Sequence, residues 1–375
     1  MKGLRFDQHG GPEVLHWDDV DVPVPGQGEL LARVRAFAIN WADLLERAGK
    51  YPGAPTPPYI TGHDLTGRVV AAGPGTDPAL VGTRVFGVIP KGGAAAEFIT
   101  APATQLYPVP DTLSDEQAAG AAGPYLTADA AIITLGRLEK GEDVLIQAAA
   151  GAYGSAAVQL CRAYGAGRII ATAGSAEKAA RTLEWGADIA VDYTNDDFVE
   201  VVRQTTNDRG VPLVLESVGG DVLERSFDCV SPGGRLVSVG ASSGISTKRM
   251  RLQTLFELGI SVAGFTLGNW LRNNPELVQS SVDRVLALFD QGAVSPVIAQ
   301  VFRDSEVAAA HEYLADRRSI GRTIVMMSPW PESDLARRGP CGVRRTVAGS
   351  APALRRHPRP SRDQEPPHPP EQSHD

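Results

Sequence analysis

The chain has 375 residues, a formal net charge of −8 and only three cysteines. It contains no run of 18 apolar residues, which excludes a membrane-spanning helix, and Cys161, Cys229 and Cys341 are too scattered for a disulfide framework. The acidic balance argues against nucleic acid as a partner.

The first residues, Met1-Lys2-Gly3-Leu4-Arg5-Phe6, lead into no apolar signal region, so a soluble cytoplasmic protein is expected. Before residue 120, apolar stretches at 30–38, 65–72, 84–88 and 97–99 are broken by glycine and proline. They predict a compact β-rich unit with irregular loops. Residues 144–146, Val-Leu-Ile, predict a buried strand. Ala149-x-Gly151-x-x-Gly154 follows at once, and an amphipathic helix is predicted over 155–164. Strand, glycine turn and helix N-terminus together form an anion cradle. Backbone N–H groups and the helix dipole point at a pyrophosphate, and Gly151 lets it approach the backbone. The same residues would also serve an ordinary βα turn.

Strands are predicted at 168–173, 189–193, 213–218 and 235–240, with helices at 196–206 and 222–230 between them. This alternation implies a parallel, doubly wound sheet. Cys161 and Cys229 fall on predicted helices as small core residues. The strand-end turns Val218-Gly219-Gly220 and Val239-Gly240 should line the cofactor cleft. A helix at 275–291 and a strand at 323–327 close the body, whose length suits two domains.

The end of the second strand bears on which dinucleotide is bound. NAD sites usually carry a carboxylate there to hold the ribose 2′-OH. Here the strand ends in Ala173-Gly174-Ser175, with Lys178 shortly after. A hydroxyl and an ammonium suit a 2′-phosphate, so NADPH is favoured over NADH. Ser175 as a helix cap and Lys178 as a solvated charge fit the same pattern. Residues 329–375 hold ten prolines, eight arginines and six acidic residues, without an apolar period. A disordered tail is expected there.

Several motifs in order resemble the zinc-independent quinone oxidoreductases of the medium-chain dehydrogenase/reductase superfamily. They include Asn40-x-x-Asp43-x-x-x-Arg47-x-Gly49-x-Tyr51, the turn Gly62-His63-Asp64, Leu126-Thr127-Ala128, and the loop and helix from Ala148 to Leu160. Gly186-Ala187-Asp188, Asp192-Tyr193, Ser217-Val218-Gly219-Gly220, Gly233-Gly234-Arg235 and Gly321-Arg322-Thr323 continue the order. The resemblance covers residues 1 to about 327; the tail has no counterpart.

That resemblance implies an α/β chain: a GroES-like β-barrel catalytic domain plus an inserted Rossmann doubly wound parallel-sheet domain. The division expected is 1–122 for the first part of the catalytic domain, 123–265 for the NADP(H)-binding domain and 266–328 to complete the catalytic domain. A homodimer is implied, with Rossmann sheets paired edge to edge. The implied activity is NADPH-dependent reduction of quinones or other α,β-unsaturated carbonyls. The implied cofactor set is Thr127, Ala150, Gly151, Ala152, Tyr153, Gly154, Gly174, Ser175, Lys178, Tyr193, Val218, Gly240 and Arg322. Where the family usually has Gly-Val, this chain has Ala152-Tyr153, and Tyr153 could stack on the nicotinamide, narrow the acceptor pocket or face the other domain.

No metal is expected. Zinc-dependent relatives use a Cys, the His of a Gly-His-Glu turn and a further Cys or Asp. Here Asn40 stands at the cysteine position and the four-cysteine structural lobe is missing, although Asp43, Asp64 and His63 could in principle supply three ligands. Alternatively, His63 satisfies backbone groups and Asp64 pairs with an arginine. Without a Lewis acid, conjugated acceptors are favoured, because hydride addition to them spreads the developing charge. Asn40 and Tyr51 are the expected donors to the acceptor oxygen, though Tyr51 could equally pack on the loop 52–58. Asp43 and Arg47 are expected to form a structural pair. An enoyl-thioester reductase, an alcohol dehydrogenase, or a NADPH-binding regulatory or structural protein are the rival readings.

Overall fold

The computed structural model describes residues 1–244 and 252–329. Apart from Pro329, the expected disordered tail lies outside the described residues. Two large sheets organise the rest. The first has seven strands: β3 (Glu29–Ile39), β5 (Asp64–Ala72), β6 (Arg84–Val88), β7 (Phe98–Pro102), β8 (Leu106–Pro108), β15 (Ile298–Arg303) and β16 (Arg322–Met326). A small sheet of β1 (Lys2–Phe6), β2 (His16–Asp19) and β4 (Tyr59–Ile60) accompanies it. β16 comes from the far end of the chain yet pairs antiparallel with β3, setting Ile324 opposite Ala38. The first sheet therefore needs the last strands. Gly67 on β5 is required by packing, since a Cβ there would lie 2.2 Å from the Arg33 carbonyl oxygen of β3.

The second sheet is parallel throughout: β9 (Val144–Ile146), β10 (Ile169–Ala173), β11 (Ile189–Asp192), β12 (Val211–Glu216), β13 (Val230–Ser238) and β14 (Ser261–Gly264). The order is β11-β10-β9-β12-β13-β14. The direction of winding reverses between β9 and β12, which opens a crevice at their carboxyl ends. α4 (Ala152–Ala163), α5 (Ala176–Glu184), α6 (Phe198–Thr206), α7 (Gly220–Ser226) and α8 (Leu252–Leu258) lie between these strands in the chain. β9 shows why the sheet is apolar on both faces. Val144 and Ile146 join the core with Ala156, Leu160 and Phe289, while Leu145 joins the opposite core with Ile170 and Val202.

The remaining helices are α1 (Trp41–Arg47), α2 (Asp115–Ala119), α3 (Ala122–Asp129), α9 (Leu267–Asn273), α10 (Pro275–Asp290) and α11 (Val307–Ala315). α3, α4 and α10 share a buried polar tie. Asp129, fully buried, accepts Arg284 Nη2 and the Tyr164 hydroxyl, each at 2.6 Å.

The elements follow the periodicity closely, with one informative shift. α4 starts at Ala152, three residues before the predicted helix. Gly151 is its extended N-cap, and the Gly151 carbonyl already accepts the Ser155 N–H at 2.9 Å. Cys229 lies in a short 3₁₀ turn after α7 rather than in the helix itself.

Gly154 is where helix and strand approach most closely. A Cβ there would sit 2.4 Å from Ala149 Cα and 2.5 Å from the Ala148 carbonyl oxygen, whereas a Cβ on Gly151 meets only that oxygen, at 3.4 Å. Gly154→Ala is therefore expected to cost roughly 1–3 kcal/mol of stability, and Gly151→Ala far less. Denaturation midpoints of the two variants decide it; equal midpoints would contradict this packing.

Candidate active site

The phosphate turn rests on a buried polar network. Ala148 takes a left-handed conformation, φ +51°, unusual for a residue with a side chain. Its N–H donates to Thr172 Oγ1 (3.3 Å), Thr172 donates to Gln147 Oε1 (2.6 Å), and Gln147 donates to Ser226 Oγ (3.1 Å). These bonds hold a backbone shape that the local sequence alone disfavours. Beyond it, the first N–H groups of α4 have no carbonyl one turn back to accept them. The position of a Gly151 Cβ is nearly open space. Glycine, open space and unsatisfied N–H groups fit a dinucleotide pyrophosphate. Ala152 is helical, so its methyl is tolerated. Ala150 is buried, and its carbonyl accepts the Gly321 N–H at 2.9 Å, so the chain's last segment walls one side of the turn.

At the end of β10, Gly174, Ser175, Lys178 and Tyr193 come together. Ser175 caps α5 by accepting the Lys178 N–H at 3.2 Å. A Cβ on Gly174 would touch the Tyr193 hydroxyl at 2.6 Å. The Tyr193 N–H donates to the Ala173 carbonyl. Lys178 Nζ donates to the Arg317 carbonyl. Burial, together with the Arg317 charge, lowers the Lys178 pKa despite the opposing effect of Glu177. Arg317 itself lies 5.7 Å over the Trp41 ring and donates to the Ser242 carbonyl at 3.4 Å. It brings a second cation to this corner, and no spacing in the sequence announces it.

At the end of β12 a buried carboxylate shapes the next turn. Glu216 accepts the N–H groups of Val218 (2.5 Å) and Gly219 (2.7 Å) and the Ser238 hydroxyl (3.2 Å). Burial raises its pKa against these bonds. Gly240 is exposed, near the Ser217 carbonyl.

Arg322, expected in the cofactor set, is engaged by Asp64 and Asn40. It is 3 % exposed, and Nη2 lies 3.1 Å from Asp64 Oδ2 while Nη1 donates to Asn40 Oδ1 at 2.8 Å. Asn40 Nδ2 donates to Asp64 Oδ2 (2.9 Å), and the Gly123 N–H, inside α3, donates to Asp64 Oδ1 (2.6 Å). The Asn40 amide is thus oriented, and its second N–H has no partner among the described residues. Thr127 is half-buried further along α3. Tyr51 is half-buried, its hydroxyl makes no hydrogen bond among the described residues, and burial together with Glu46 raises its pKa. Tyr153 turns its hydroxyl inward, where it is buried without a hydrogen-bond partner among the described residues, and burial raises its pKa strongly.

The expected Asp43–Arg47 pair does not form. Asp43 accepts the Asn40 N–H (2.7 Å), the Thr61 hydroxyl (3.3 Å) and the Gly62 N–H (3.2 Å). Arg47 is buried, its Nε and Nη1 without a hydrogen-bond partner among the described residues, and burial lowers its pKa. Side chains four apart share a helix face, but the β5 turn draws Asp43 toward itself. Instead Asp43, Glu46 and His63 place ligand-type atoms within 4.8 Å of one another. His63 Nε2 is 2.9 Å from Glu46 Oε2 and 3.8 Å from Asp43 Oδ1, and Nδ1 is 2.9 Å from the Ile89 carbonyl oxygen. Burial alone would lower the His63 pKa. The hydrogen bond to Glu46, the charges of Asp43 and Glu46 and the Ile89 carbonyl together push it up to about 10. Both ring nitrogens of His63 are thus already engaged, one by Glu46 and the other by the Ile89 carbonyl. Asp64, the other carboxylate of the turn, faces the fixed positive charge of Arg322. This donor set does not fit a catalytic zinc with an open coordination position.

Known families match both parts of the chain. Residues 26–111 match the alcohol dehydrogenase GroES-like domain, and residues 152–289 match the zinc-binding dehydrogenase family. The quinone oxidoreductase of Pseudomonas aeruginosa is 36 % identical over 326 residues, covering 87 % of this chain and 99 % of that protein. The human synaptic vesicle membrane protein VAT-1 homolog is 32 % identical over 327 residues, covering 83 % of this chain and 82 % of that one. A 2-haloacrylate reductase from a Burkholderia species is 32 % identical, covering 84 % and 96 %. Among solved structures, the quinone oxidoreductase of Pseudomonas syringae superposes with a TM-score of 0.80 at 33 % identity, covering 87 % of this chain and 99 % of that one. The Escherichia coli quinone oxidoreductase complexed with NADPH gives a TM-score of 0.78 at 30 % identity, covering 87 % and 100 %. With the nicotinamide-type cradle and the two sheets already in place, the chain belongs to the quinone oxidoreductase branch of the medium-chain dehydrogenase/reductase superfamily.

Proposed function

We propose that this oxidoreductase uses NADPH to reduce quinones or other α,β-unsaturated carbonyls, without a metal. The carrying observation is the Asn40–Asp64–Arg322 network. It puts an oriented amide and a buried guanidinium where a metal would need anionic ligands. The bound dinucleotide supplies the hydride. The remaining Asn40 N–H and the Tyr51 hydroxyl donate to the acceptor oxygen. Such neutral donors suffice when charge is delocalised over an enolate or a reduced ring, and serve a simple ketone poorly. The relatives named for quinone and 2-haloacrylate reduction support conjugated acceptors. The division of the chain at 122/123 and 265/266 is part of this reading; within 266–328, β15 and β16 return to the first sheet, while α10 packs on the core shared with β9 and α4. So is a cytoplasmic location, in keeping with the buried thiols of Cys161 and Cys229.

The cofactor preference rests on the corner around Ser175, Lys178, Tyr193 and Arg317. Two cations and two hydroxyls meet there, and β10 ends without a carboxylate. Lys178→Ala is expected to raise the NADPH dissociation constant roughly ten-fold or more and to leave NADH nearly unchanged, one charge-assisted contact being lost. Equal losses for both cofactors, measured by fluorescence titration, would reverse the assignment.

The acceptor is tested by NADPH oxidation with quinones, enones, enoyl-CoA thioesters and saturated ketones, with and without EDTA. Conjugated acceptors should react far faster than ketones, with EDTA making no difference. Tyr51→Phe should lower turnover about ten-fold or more with NADPH affinity unchanged. Equal rates with saturated ketones, or a loss of activity in EDTA, would favour an alcohol dehydrogenase instead.

A homodimer completes the proposal. β14 is the edge of its sheet, and near it in the chain Leu252 and Phe256 of α8 are 69 % and 88 % exposed. Open strand edges and large exposed apolar side chains invite self-pairing. Phe256→Asp should shift a dimer toward monomer in sedimentation velocity; a wild type that is already monomeric would dismiss it.

A further inference from the structure

His63, just before β5, and Asp64, its first residue, grip opposite ends of α1. Asp64 holds Asn40, the N-cap. His63 holds Glu46, in the last turn, and stands 3.8 Å from Asp43. The grip is anchored outside the helix as well. His63 Nδ1 is bonded to the Ile89 carbonyl, and the Ile89 N–H returns to the His63 carbonyl at 2.8 Å. α1 has seven residues, too few to hold its shape unaided. Asp43, Glu46 and His63 are 1 %, 6 % and 9 % exposed, so their bonds are not replaced by water. Through the Asp43 bond to the Asn40 N–H, and through the Tyr51 N–H to the Leu45 carbonyl (3.1 Å), both ends of this segment lead to the acceptor donors.

We propose that the buried His63–Glu46 pair is a positioning device for the acceptor: it fixes α1 against the 61–64 turn and so holds Asn40 and Tyr51 at the cleft. The proposal rests on the reading of Asn40 and Tyr51 given above. His63 and Glu46 touch neither cofactor nor acceptor and act through the helix. A shift of about 1 Å in a positioned donor can change turnover by up to roughly a hundred-fold, so a short helix anchored by ionic contacts is a sensitive element.

The test uses the full chain and the variants Glu46→Gln, His63→Gln and the double. Glu46→Gln is isosteric and can still accept the His63 N–H, which guards against a variant that fails to fold. Two readouts are taken well below the melting temperature of each protein: turnover with a quinone, and the Asn40 side-chain amide resonance, assigned by its loss in Asn40→Asp. The expected result is a roughly ten-fold fall in kcat or rise in acceptor KM, an unchanged NADPH dissociation constant, and a displaced Asn40 resonance. The double variant should be no worse than the poorer single one. Folded single variants with wild-type turnover and an unmoved Asn40 resonance would overturn the proposal. So would one zinc per chain in the wild type that is lost in His63→Gln, because His63 would then be a ligand rather than an ion-pair partner. Should the wild type reduce no acceptor at all, the functional reading fails, and the Asn40 resonance alone still decides the positioning role.

Discussion

A single buried carboxylate, Asp64, joins parts of the chain that are far apart in sequence. It starts β5, accepts a backbone N–H from α3, accepts the Asn40 amide at the head of α1, and faces Arg322 at the start of the last strand. Pairing a charge inside the protein is favourable only when geometry and further hydrogen bonds satisfy it. Removing one partner of such a pair costs about 3–5 kcal/mol, since the other charge stays buried. β16 returns to the first sheet by pairing with β3, and that return brings Arg322 to Asp64. Without it, Asp64 would be an uncompensated anion at the floor of the cleft, and the wall that Gly321 gives to the phosphate turn would be absent. Sheet completion, cleft floor and cofactor turn therefore share one electrostatic condition.

The fold was legible because its signals are local. Val144-Leu145-Ile146 followed by Gly151 and Gly154 specifies strand, turn and helix within eleven residues, and each glycine carries a separate physical duty. Gly154 admits close packing and Gly151 leaves room for an anion. Less legible was the start of α4, because the glycine that caps it reads as part of a loop. The strained residue of the turn is Ala148, not a glycine. Only the network of Thr172, Gln147 and Ser226, drawn from three separate segments, accounts for it.

The candidate site was legible where motif and geometry coincide, and obscure where a partner comes from afar. Gly174, Ser175, Lys178 and Tyr193 meet as expected, because adjacent parallel strands end side by side. Arg317 joins them from the last tenth of the described chain, and nothing in its spacing relates it to Lys178. Arg322 entered the expected cofactor set only through the resemblance carried by Gly321-Arg322-Thr323. Its side chain turns toward Asn40 and Asp64. Asp43 and Arg47 satisfy the helical rule for a pair, yet the rule considers one helix alone. The Thr61 hydroxyl and the Gly62 N–H offer Asp43 two donors, and Arg47 is left buried with Glu13 and Glu312 as the charges acting on it. Glu46 carried a usable signal: it lies three residues after Asp43, and so on the same face of the helix.

The histidine of the Gly-His-Asp turn shows how one position can change its chemistry on a constant scaffold. A neutral imidazole is a metal ligand, whereas a protonated one is a cation with two directed donors. Which state prevails depends on what surrounds it. Here Glu46 and Asp43 supply negative charge without an open face, and Ile89 takes the second nitrogen. Both ring nitrogens are therefore engaged within the protein, and the cluster is closed by its own hydrogen bonds. The adjacent Asp64 makes the complementary choice by pairing with Arg322. Both residues of the turn are thus committed to internal partners, His63 to Glu46 and the Ile89 carbonyl, Asp64 to Arg322, the Asn40 amide and the Gly123 N–H, so the turn that could have presented ligands outward instead ties α1, α3 and β16 together.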